Sequence, residues 1–173
     1  MEIIDLTKPL DSGMDVYPGD PDVTVEIAQT HEQDGWELRK LTLGSHTGTH
    51  ADAPSHAHSG ARNLDQVPLH QFCGEAVCVR ATDVLPSRIG LVFCEHLTNT
   101  RADDIISAEA PFVAAPSLDE DIERALLAKD IVTFDGITNT DQLPTGSTFT
   151  FAGLPLRIRG GDGSPVRAVA ILP

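Results

Sequence analysis

Short apolar segments rich in β-branched residues recur along the chain and predict a fold built mainly of strands. Most are about four to eight residues long and either alternate with polar positions or run on without interruption, which is typical of strands. Turns rich in glycine and proline separate them. The strands predicted on this basis cover residues 2–6, 36–43, 75–80, 90–94, 131–134, 149–151, 156–158 and 166–172.

Residues 118–129 have the spacing of a helix instead. Their apolar positions (118, 122, 125, 126 and 128) fit one helical stripe better than they fit alternation. Acids at 119–121 lie near the start, where the helix dipole favours negative charge, and Lys129 ends the segment. This is the one helix that the sequence predicts clearly.

Strands therefore outnumber helices, and the fold class predicted is a strand-rich α/β domain. The 173 residues suffice for one domain with a sizeable core. Because no repeat, low-complexity tract or linker divides the chain, we expect a single domain over residues 1–173. Residues 101–116 are the least readable part of the chain.

The charge of the chain limits its partners. It has 12 basic and 26 acidic residues and a formal net charge of −14, which repels nucleic acid and anionic membranes and attracts cations. No apolar run approaches the ~18–20 residues of a membrane span, and the first ten residues lack the features of a signal peptide. We therefore expect a cytoplasmic protein that acts on a small molecule and binds neither nucleic acid nor membrane.

The three cysteines, Cys73, Cys78 and Cys94, are odd in number and form no Cys-x-x-Cys pair. Neither a disulfide framework nor a thiolate zinc site is indicated. Cys78 lies in an apolar run, where a free cysteine is usually a buried core residue.

Histidines are concentrated in one short segment. Four of the seven, His46, His50, His56 and His58, fall between positions 46 and 58. Because glycine and proline interrupt this segment, a loop rather than a helix is expected to gather the side chains. Alternate residues of an extended chain share a face, so His50 and Asp52 project together, and a bend at Gly48 brings His46 to the same side.

Two imidazoles and one carboxylate would then converge, with coordination positions left open for water or substrate. Such a set suits zinc, manganese or iron(II) in a catalytic site. Any one of these residues alone is more simply a surface or turn residue, and it is their combination that indicates a metal site. His58 is expected to be a solvated loop residue, and His31, His70 and His96 to be surface or satisfied core residues.

The segment 46–56 resembles the His-x-Gly-Thr-His-x-Asp-x-Pro-x-His signature of the cyclase-like metal hydrolases, a family that includes bacterial kynurenine formamidase and isatin hydrolase. Seven fixed identities make this signature specific. Segments 5–7 and 17–20 are similar to the family's opening, and segments 155–158 and 162–168 to its close. The resemblance implies an α/β "swivelling" domain with a β-barrel-like core, assembled as a homodimer or homotetramer.

Carried over to this chain, the resemblance makes His46, His50 and Asp52 metal ligands and His56 the catalytic acid/base. Two further family ligands, a histidine and a glutamate, fall on Glu123 and Asp135. Carboxylate in place of imidazole shifts the preference at that second position from zinc towards manganese or magnesium. The alternative is that Glu123 is a solvated helix acid and Asp135 a turn residue. The region 83–115 is shorter than in the family, which leaves the substrate open.

The function expected is hydrolysis of a small amide, formamide, cyclic amide or lactone, with one or two ions of zinc or manganese as cofactor. The metal would activate water and polarise the carbonyl, and His56 would carry the proton to the leaving group. Two alternatives stay open. One is that the chain is a non-catalytic relative that binds a metal or small molecule. The other is that it uses the same metal for ring closure or dehydration.

Overall fold

The structure is a computed structural model that describes all residues, 1–173. It contains eleven strands and four short helices. The strands are β1 (Glu2–Asp5), β2 (Thr24–Gln29), β3 (Leu38–Thr42), β4 (His50–Asp52), β5 (Cys73–Val79), β6 (Gly90–Phe93), β7 (Phe112–Ala114), β8 (Val132–Asp135), β9 (Thr148–Ala152), β10 (Gly163–Pro165) and β11 (Val169–Leu172). The helices are α1 (His31–Asp34), α2 (Pro54–Ala57), α3 (Ala102–Ser107) and α4 (Glu120–Leu127).

Nine of the strands form one curled, half-barrel sheet in the order β1-β11-β9-β5-β6-β7-β8-β4-β10. The four central strands β5 to β8 are parallel, and antiparallel strands flank them on both sides. β2 and β3 pair only with each other, as a separate hairpin. The prediction of a strand-rich α/β fold with few helices and a barrel-like core is confirmed.

The central strands are largely buried on both faces, which explains why most of their residues are apolar. One face carries Ala76, Cys78 and the rings of Phe112, Phe134 and Phe151, in the larger core cluster. The other face packs against α3 and α4 in a second cluster that includes Val77, Leu91, Ile105, Ile122 and Leu126. Helix α4 therefore lies firmly against the sheet, close to the end of β8.

Several predicted elements are confirmed with small changes of length. Helix α4 occupies the middle of the predicted segment 118–129, and Asp119 is its N-cap residue. The predicted strands 2–6, 75–80, 90–94, 131–134, 149–151 and 166–172 correspond to β1, β5, β6, β8, β9 and β11. The predicted strand 36–43 is β3, and its partner β2 was not predicted.

Three local predictions are wrong. Residues 156–158 form no strand, because Leu156 and Ile158 are exposed and the segment has no ladder partner. Residues 160–165, rich in glycine and predicted to be one of the turns between strands, end instead in a strand, β10, which pairs with β4. The histidine segment is also not all loop, because His50–Asp52 is β4, a strand between β8 and β10.

The sequence indicated no disulfide, but the structure contains one. Cys78 is buried, as predicted, but its sulfur forms a disulfide with that of Cys94, and only Cys73 is free. Cys78 lies opposite Val92 in the pairing of β5 with β6. Cys94 is two residues further on, so both side chains lie on the same face of neighbouring strands, with their Cα atoms 6.7 Å apart. This adjacency depends on the strand order.

None of the four helices combines the length and the apolar character that crossing a bilayer would require.

Candidate active site

The histidine segment enters the sheet as β4, and this pairing positions the first group of side chains. Gly48 has a φ of +66°, a left-handed conformation that glycine adopts easily, and it turns the chain just before the strand. β4 then pairs with β8 on one side and β10 on the other. The bend expected at this glycine is present, and it lets His46 face back towards Asp52.

His46, His50 and Asp52 bring one donor atom each into a single small space. Asp52 is fully buried, and its Oδ1 lies 2.6 Å from Nδ1 of His46 and 3.4 Å from Nε2 of His50. Nδ1 of His50 lies 3.0 Å from the carbonyl oxygen of Gly48 and can donate to it. That hydrogen bond leaves Nε2 of His50 as the ring nitrogen free to bind a cation.

The His46 ring has room only because residue 163, opposite Asp52 in β10, is a glycine. A Cβ atom at Gly163 would overlap Cε1 of His46 and would lie 2.9 Å from its Nδ1. A side chain of any size would therefore displace the imidazole. The site therefore requires β10 to pass close to the His46 ring without a side chain at position 163.

Asp162 was not predicted as a site residue. Its Oδ2 lies 2.9 Å from Nε2 of His46 and 3.6 Å from Nδ1 of His56, and its Oδ1 accepts a hydrogen bond of 3.0 Å from Ser45 Oγ. Asp162 is 116 residues from His46 along the chain. No local spacing could have revealed this contact, which depends on the pairing of β10 with β4.

His56 lies on the short helix α2, directly beside the first group. Its ring is stacked at a tilt on that of His46, with centroids 3.9 Å apart. A good third of its side chain, 37%, is exposed to the cleft. The imidazole is thus near the donors and open to a small molecule at the same time, as an acid/base must be.

Glu123 on α4 reaches the same centre from the helical side. It forms a second group of three donors with Asp52 and His56. The hydroxyl of Thr133 lies between the two carboxylates, 3.1 Å from Asp52 Oδ2 and 3.4 Å from Glu123 Oε1. A solvated helix acid would not have this environment.

Asp135 occupies a different position from Glu123. It lies opposite His50 in the β4–β8 ladder and lines the cleft. It belongs to none of the three groups of donors, the third of which consists of His46, His56 and Asp162. Its Oδ1 accepts a hydrogen bond of 2.7 Å from the backbone N–H of Gly136. The structure therefore brings Glu123 to the centre and leaves Asp135 at its wall.

The crowding of carboxylates and imidazoles shifts their pKa values strongly. Burial alone would lower the pKa of His46, but Asp52 and Asp162 outweigh it and raise the pKa to about 9. Burial and the neighbouring carboxylates of Asp52 and Asp135 raise the pKa of Glu123 to about 9. Burial also raises the pKa of Asp135. Against the opposing effect of burial, His46 lowers the pKa of Asp162 to about 2.

The whole arrangement opens into a cleft of about 580 Å³. Its walls include the segment from Met14 to Tyr17, Lys8 and the first turns of α4. Tyr17 spans from the N-terminal segment to that helix, where its hydroxyl donates a hydrogen bond of 2.5 Å to Glu120. The cleft has the size of a small-molecule site, with mostly polar walls.

The donor set fits a divalent cation of the zinc and manganese type. Two imidazole nitrogens and a carboxylate converge in the first group, and one imidazole and two carboxylates in the second. Mixed nitrogen and oxygen donors of this kind suit zinc, manganese or iron(II), whereas an all-oxygen set would favour calcium or magnesium. The open side towards the cleft leaves room for water and substrate.

The remaining histidines lie outside the centre. His31, His70 and His96 are exposed, and His96 is hydrogen-bonded to Ser117 and Asp119. His58 is less solvated than expected, because it is half-buried and its Nε2 lies 2.8 Å from the carbonyl oxygen of Arg124. That contact joins α2 to α4 and so supports His56 and Glu123 indirectly.

Comparison with known proteins identifies the family. The sequence profile of the family described as "Putative cyclase" matches residues 4–115, which is more than half of the chain. The chain belongs to the putative cyclase family. The resemblance read from the segment 46–56 is confirmed.

Relatives of known name in the putative cyclase family cover nearly the whole chain. The kynurenine formamidase of Salinibacter ruber is 30% identical, and the alignment covers 98% of this chain and 97% of the relative. The kynurenine formamidase of Bacillus cytotoxicus is 29% identical, over 97% of this chain and 96% of the relative.

Solved structures share the fold. Isatin hydrolase A from Labrenzia aggregata superimposes with a TM-score of 0.84 at 20% identity, covering 98% of this chain and 93% of that one. Isatin hydrolase A from Ralstonia solanacearum gives a TM-score of 0.78 at 18% identity, covering 98% and 91%. The curled sheet and its flanking helices are thus common to these proteins.

Proposed function

We propose that this protein is a metal-dependent hydrolase that cleaves a C–N bond other than a peptide bond in a small amide, a formamide or a cyclic amide, or the ester C–O bond of a lactone. The observation that carries the proposal is the convergence of His46, His50 and Asp52 at the base of an open cleft. Similarity to kynurenine formamidases over nearly the full length supports the substrate class. An aryl formamide is therefore the first substrate to test.

In this proposal His46, His50 and Asp52 hold the cation. A divalent cation in such a site lowers the pKa of water and polarises a carbonyl group. The buried Asp52 carboxylate, between the two imidazoles, supplies the negative charge that anchors it. The cleft walls at Lys8 and Tyr17 then limit how a planar amide approaches the centre.

His56 is proposed as the acid/base. Its partial exposure and its place beside His46 allow it to accept a proton from water and return it to the leaving amine. Oδ2 of Asp162 lies 3.6 Å from Nδ1 of His56, so this carboxylate can hold the ring in place beside the donors. His56 thus moves the proton while the buried ligands remain in place.

Glu123 and Asp135 are proposed as ligands of a second cation position. Support is stronger for Glu123, which shares a donor group with Asp52 and His56. Its carboxylate makes this position richer in oxygen than the first, so manganese is favoured there and zinc at the imidazole pair. Asp135 is close enough to the centre to add charge, as its effect on Glu123 indicates.

The test is metal analysis combined with turnover. Wild-type protein loaded with zinc or manganese is assayed on the formamide of kynurenine and on isatin. We expect His56→Ala to lose at least ~100-fold in kcat, since general acid–base catalysis contributes on that scale, while it retains its metal. His50→Ala and Asp52→Asn are expected to lose the metal and the activity together.

Full activity of His56→Ala would contradict the assigned proton carrier. Metal binding without turnover on any amide or lactone would support the alternative of a non-catalytic binding relative. A product that retains all atoms of the substrate, or that has lost water, would support ring closure or dehydration. His70→Ala is the matched control, because this exposed histidine lies outside the cleft.

We also propose that the protein forms a homodimer or homotetramer, that residues 1–173 act as one domain, and that it works in the cytoplasm. The hairpin of β2 and β3 supports the oligomer. Every residue of β3 is exposed, and Ile27, Trp36, Leu38 and Leu41 are each more than half exposed. A two-stranded hairpin is only marginally stable by itself in water, and a second copy of the chain would cover it.

A further inference from the structure

Asp162 occupies a position that neither the signature 46–56 nor the proposed ligand set explains. It lies in the turn before β10, and its carboxylate is about half exposed, at 46%. It is nevertheless well fixed, because Oδ1 accepts from Ser45 Oγ and the backbone carbonyl accepts a 2.8 Å hydrogen bond from the N–H of Ala53. These contacts aim Oδ2 at Nε2 of His46, 2.9 Å away.

The two carboxylates that contact His46 lie at opposite edges of its ring. Nδ1 faces Asp52 at 2.6 Å, and Nε2 faces Asp162. The two nitrogens of an imidazole point away from each other, and in the neutral ring one carries the proton while the other offers a lone pair. In the neutral ring that would bind a cation, donation from Nε2 to Asp162 leaves the lone pair of Nδ1 facing the space beside Asp52.

The second imidazole of the group is oriented in the same manner. His50 has Nδ1 against the carbonyl oxygen of Gly48, at 3.0 Å, and turns Nε2 towards Asp52. Each histidine thus has an acceptor behind it and the shared carboxylate in front. Acceptors behind ligating histidines fix the tautomer and raise the basicity of the ligand.

We propose that Asp162 is a positioning residue that holds the imidazole of His46 with Nδ1 directed at the bound cation. The inference rests on the proposed function in one respect, namely that His46 binds a metal. Asp162 also forms a donor group of its own with His46 and His56, but the proposal places the cation with His46, His50 and Asp52, where the His46 ring would lie between it and Asp162. The same Oδ2 atom reaches Nδ1 of His56, so the carboxylate supports the ligand and the acid/base together.

The experiment measures metal affinity directly, without turnover. Zinc binding is followed by competition with a chromophoric chelator, and manganese binding by electron paramagnetic resonance. We expect Asp162→Ala to weaken both by ~10–100-fold, the usual effect of losing such a partner. Asp162→Asn keeps an oxygen that can accept from Nε2 and is expected to lose less than Asp162→Ala.

A second readout reports the tautomer. In the zinc-loaded wild-type protein, nitrogen-15 spectra of the imidazoles are expected to show the proton of His46 on Nε2. In Asp162→Ala this proton should exchange faster with water or the ring should populate both tautomers. A purely structural role of Asp162 would leave the tautomer unchanged.

The controls separate this inference from the proposed function. Asp141→Ala removes an exposed acid elsewhere and should leave affinity unchanged. His50→Ala should abolish metal binding. If the wild-type protein binds no metal at this centre, the proposed function itself fails. If His50→Ala loses the metal while Asp162→Ala keeps wild-type affinity, the positioning role alone is wrong. A loss in Asp162→Ala as complete as in His50→Ala would make Asp162 a ligand and also overturn the proposal.

Discussion

At the scale of single residues, the donor group of His46, His50 and Asp52 is packed so closely that very little free space remains around it. His46 fits between Asp52 and Asp162 only because Gly163 presents no side chain to it. The restriction is steric and does not come from backbone strain, since Gly163 is not among the glycines with positive φ. A single methyl group added at position 163 should therefore displace the His46 ring.

We expect Gly163→Ala to weaken metal binding by ~10-fold or more and to lower the free energy of unfolding by ~1–3 kcal/mol. The added Cβ would overlap Cε1 of His46 and crowd the carbonyl oxygen of Ala51, and overpacking of a tight site costs about that much. Chelator competition and thermal unfolding measure the two effects. Gly74→Ala is the control, because the nearest atoms to its added Cβ lie at 3.8 Å. Equal metal affinity in both variants would contradict the prediction.

Residue spacing predicted part of this site because some of its residues lie close together along the chain. His50 and Asp52 share a face of one extended segment, and Gly48 supplies the bend before it. Asp162 could not be predicted, because it meets His46 through a strand pairing that spans most of the chain. Glu123 was reached only through the family resemblance, since its contact with Asp52 depends on how α4 packs on the sheet.

At the scale of secondary structure elements, prediction succeeded where burial set the pattern. β6 and the second half of β5 (Ala76–Val79) are apolar because both faces are covered, and α4 has a buried apolar stripe. The segment 156–158 has similar apolar content but is exposed, so composition alone suggested a strand that does not exist. β10 was hidden by its glycine and proline, which are typical of a turn.

The two ends of the chain are joined by the pairing of β1 with β11, and one ion pair reinforces that contact. Arg167 donates two hydrogen bonds to Asp5, of 2.9 and 2.7 Å. The hydrogen bond from Arg167 lowers the pKa of Asp5. Because the pair is exposed, solvent and salt weaken it, and its contribution to stability is small.

We expect Arg167→Ala to lower the melting temperature by ~3 °C at most at neutral pH and low salt. Asp5 has a lowered pKa in the folded state, so its contribution is complete above the unfolded pKa and is lost as the pH falls through the folded pKa. The difference between wild type and variant should therefore shrink below pH ~4 and in high salt. Thermal unfolding at several pH values measures this.

Arg159→Ala is the matched control, because it removes the same charge from an exposed residue that has no ion pair. A pH-independent difference between Arg167→Ala and the wild type would contradict the assignment to Asp5. A single unfolding transition in all these proteins would also support the proposal that residues 1–173 form one domain. Two separated transitions would contradict it.

At the scale of the whole molecule, the hairpin of β2 and β3 stands apart from the nine-stranded sheet. β2 and β3 pair only with each other, and a bulge between Ile27 and Gln29 interrupts their register. Val25 and Leu41 lie opposite each other, with Ile27 on the same face. An apolar hairpin face of this kind, outside the hydrophobic core, is typical of a surface that another chain covers.

We expect the wild-type protein to be dimeric or tetrameric at micromolar concentration, and Leu41→Ser combined with Ile27→Ser to shift it to monomers. Both substitutions remove apolar surface from the hairpin without touching the cleft. Val84→Ser is the control, because that valine is 96% exposed and lies outside the hairpin. Analytical ultracentrifugation over a hundredfold range of concentration gives the mass. If the wild-type protein is a monomer, the hairpin does not join copies of this chain. If the double variant keeps the wild-type mass, the copies meet at another surface. Either result contradicts the proposal.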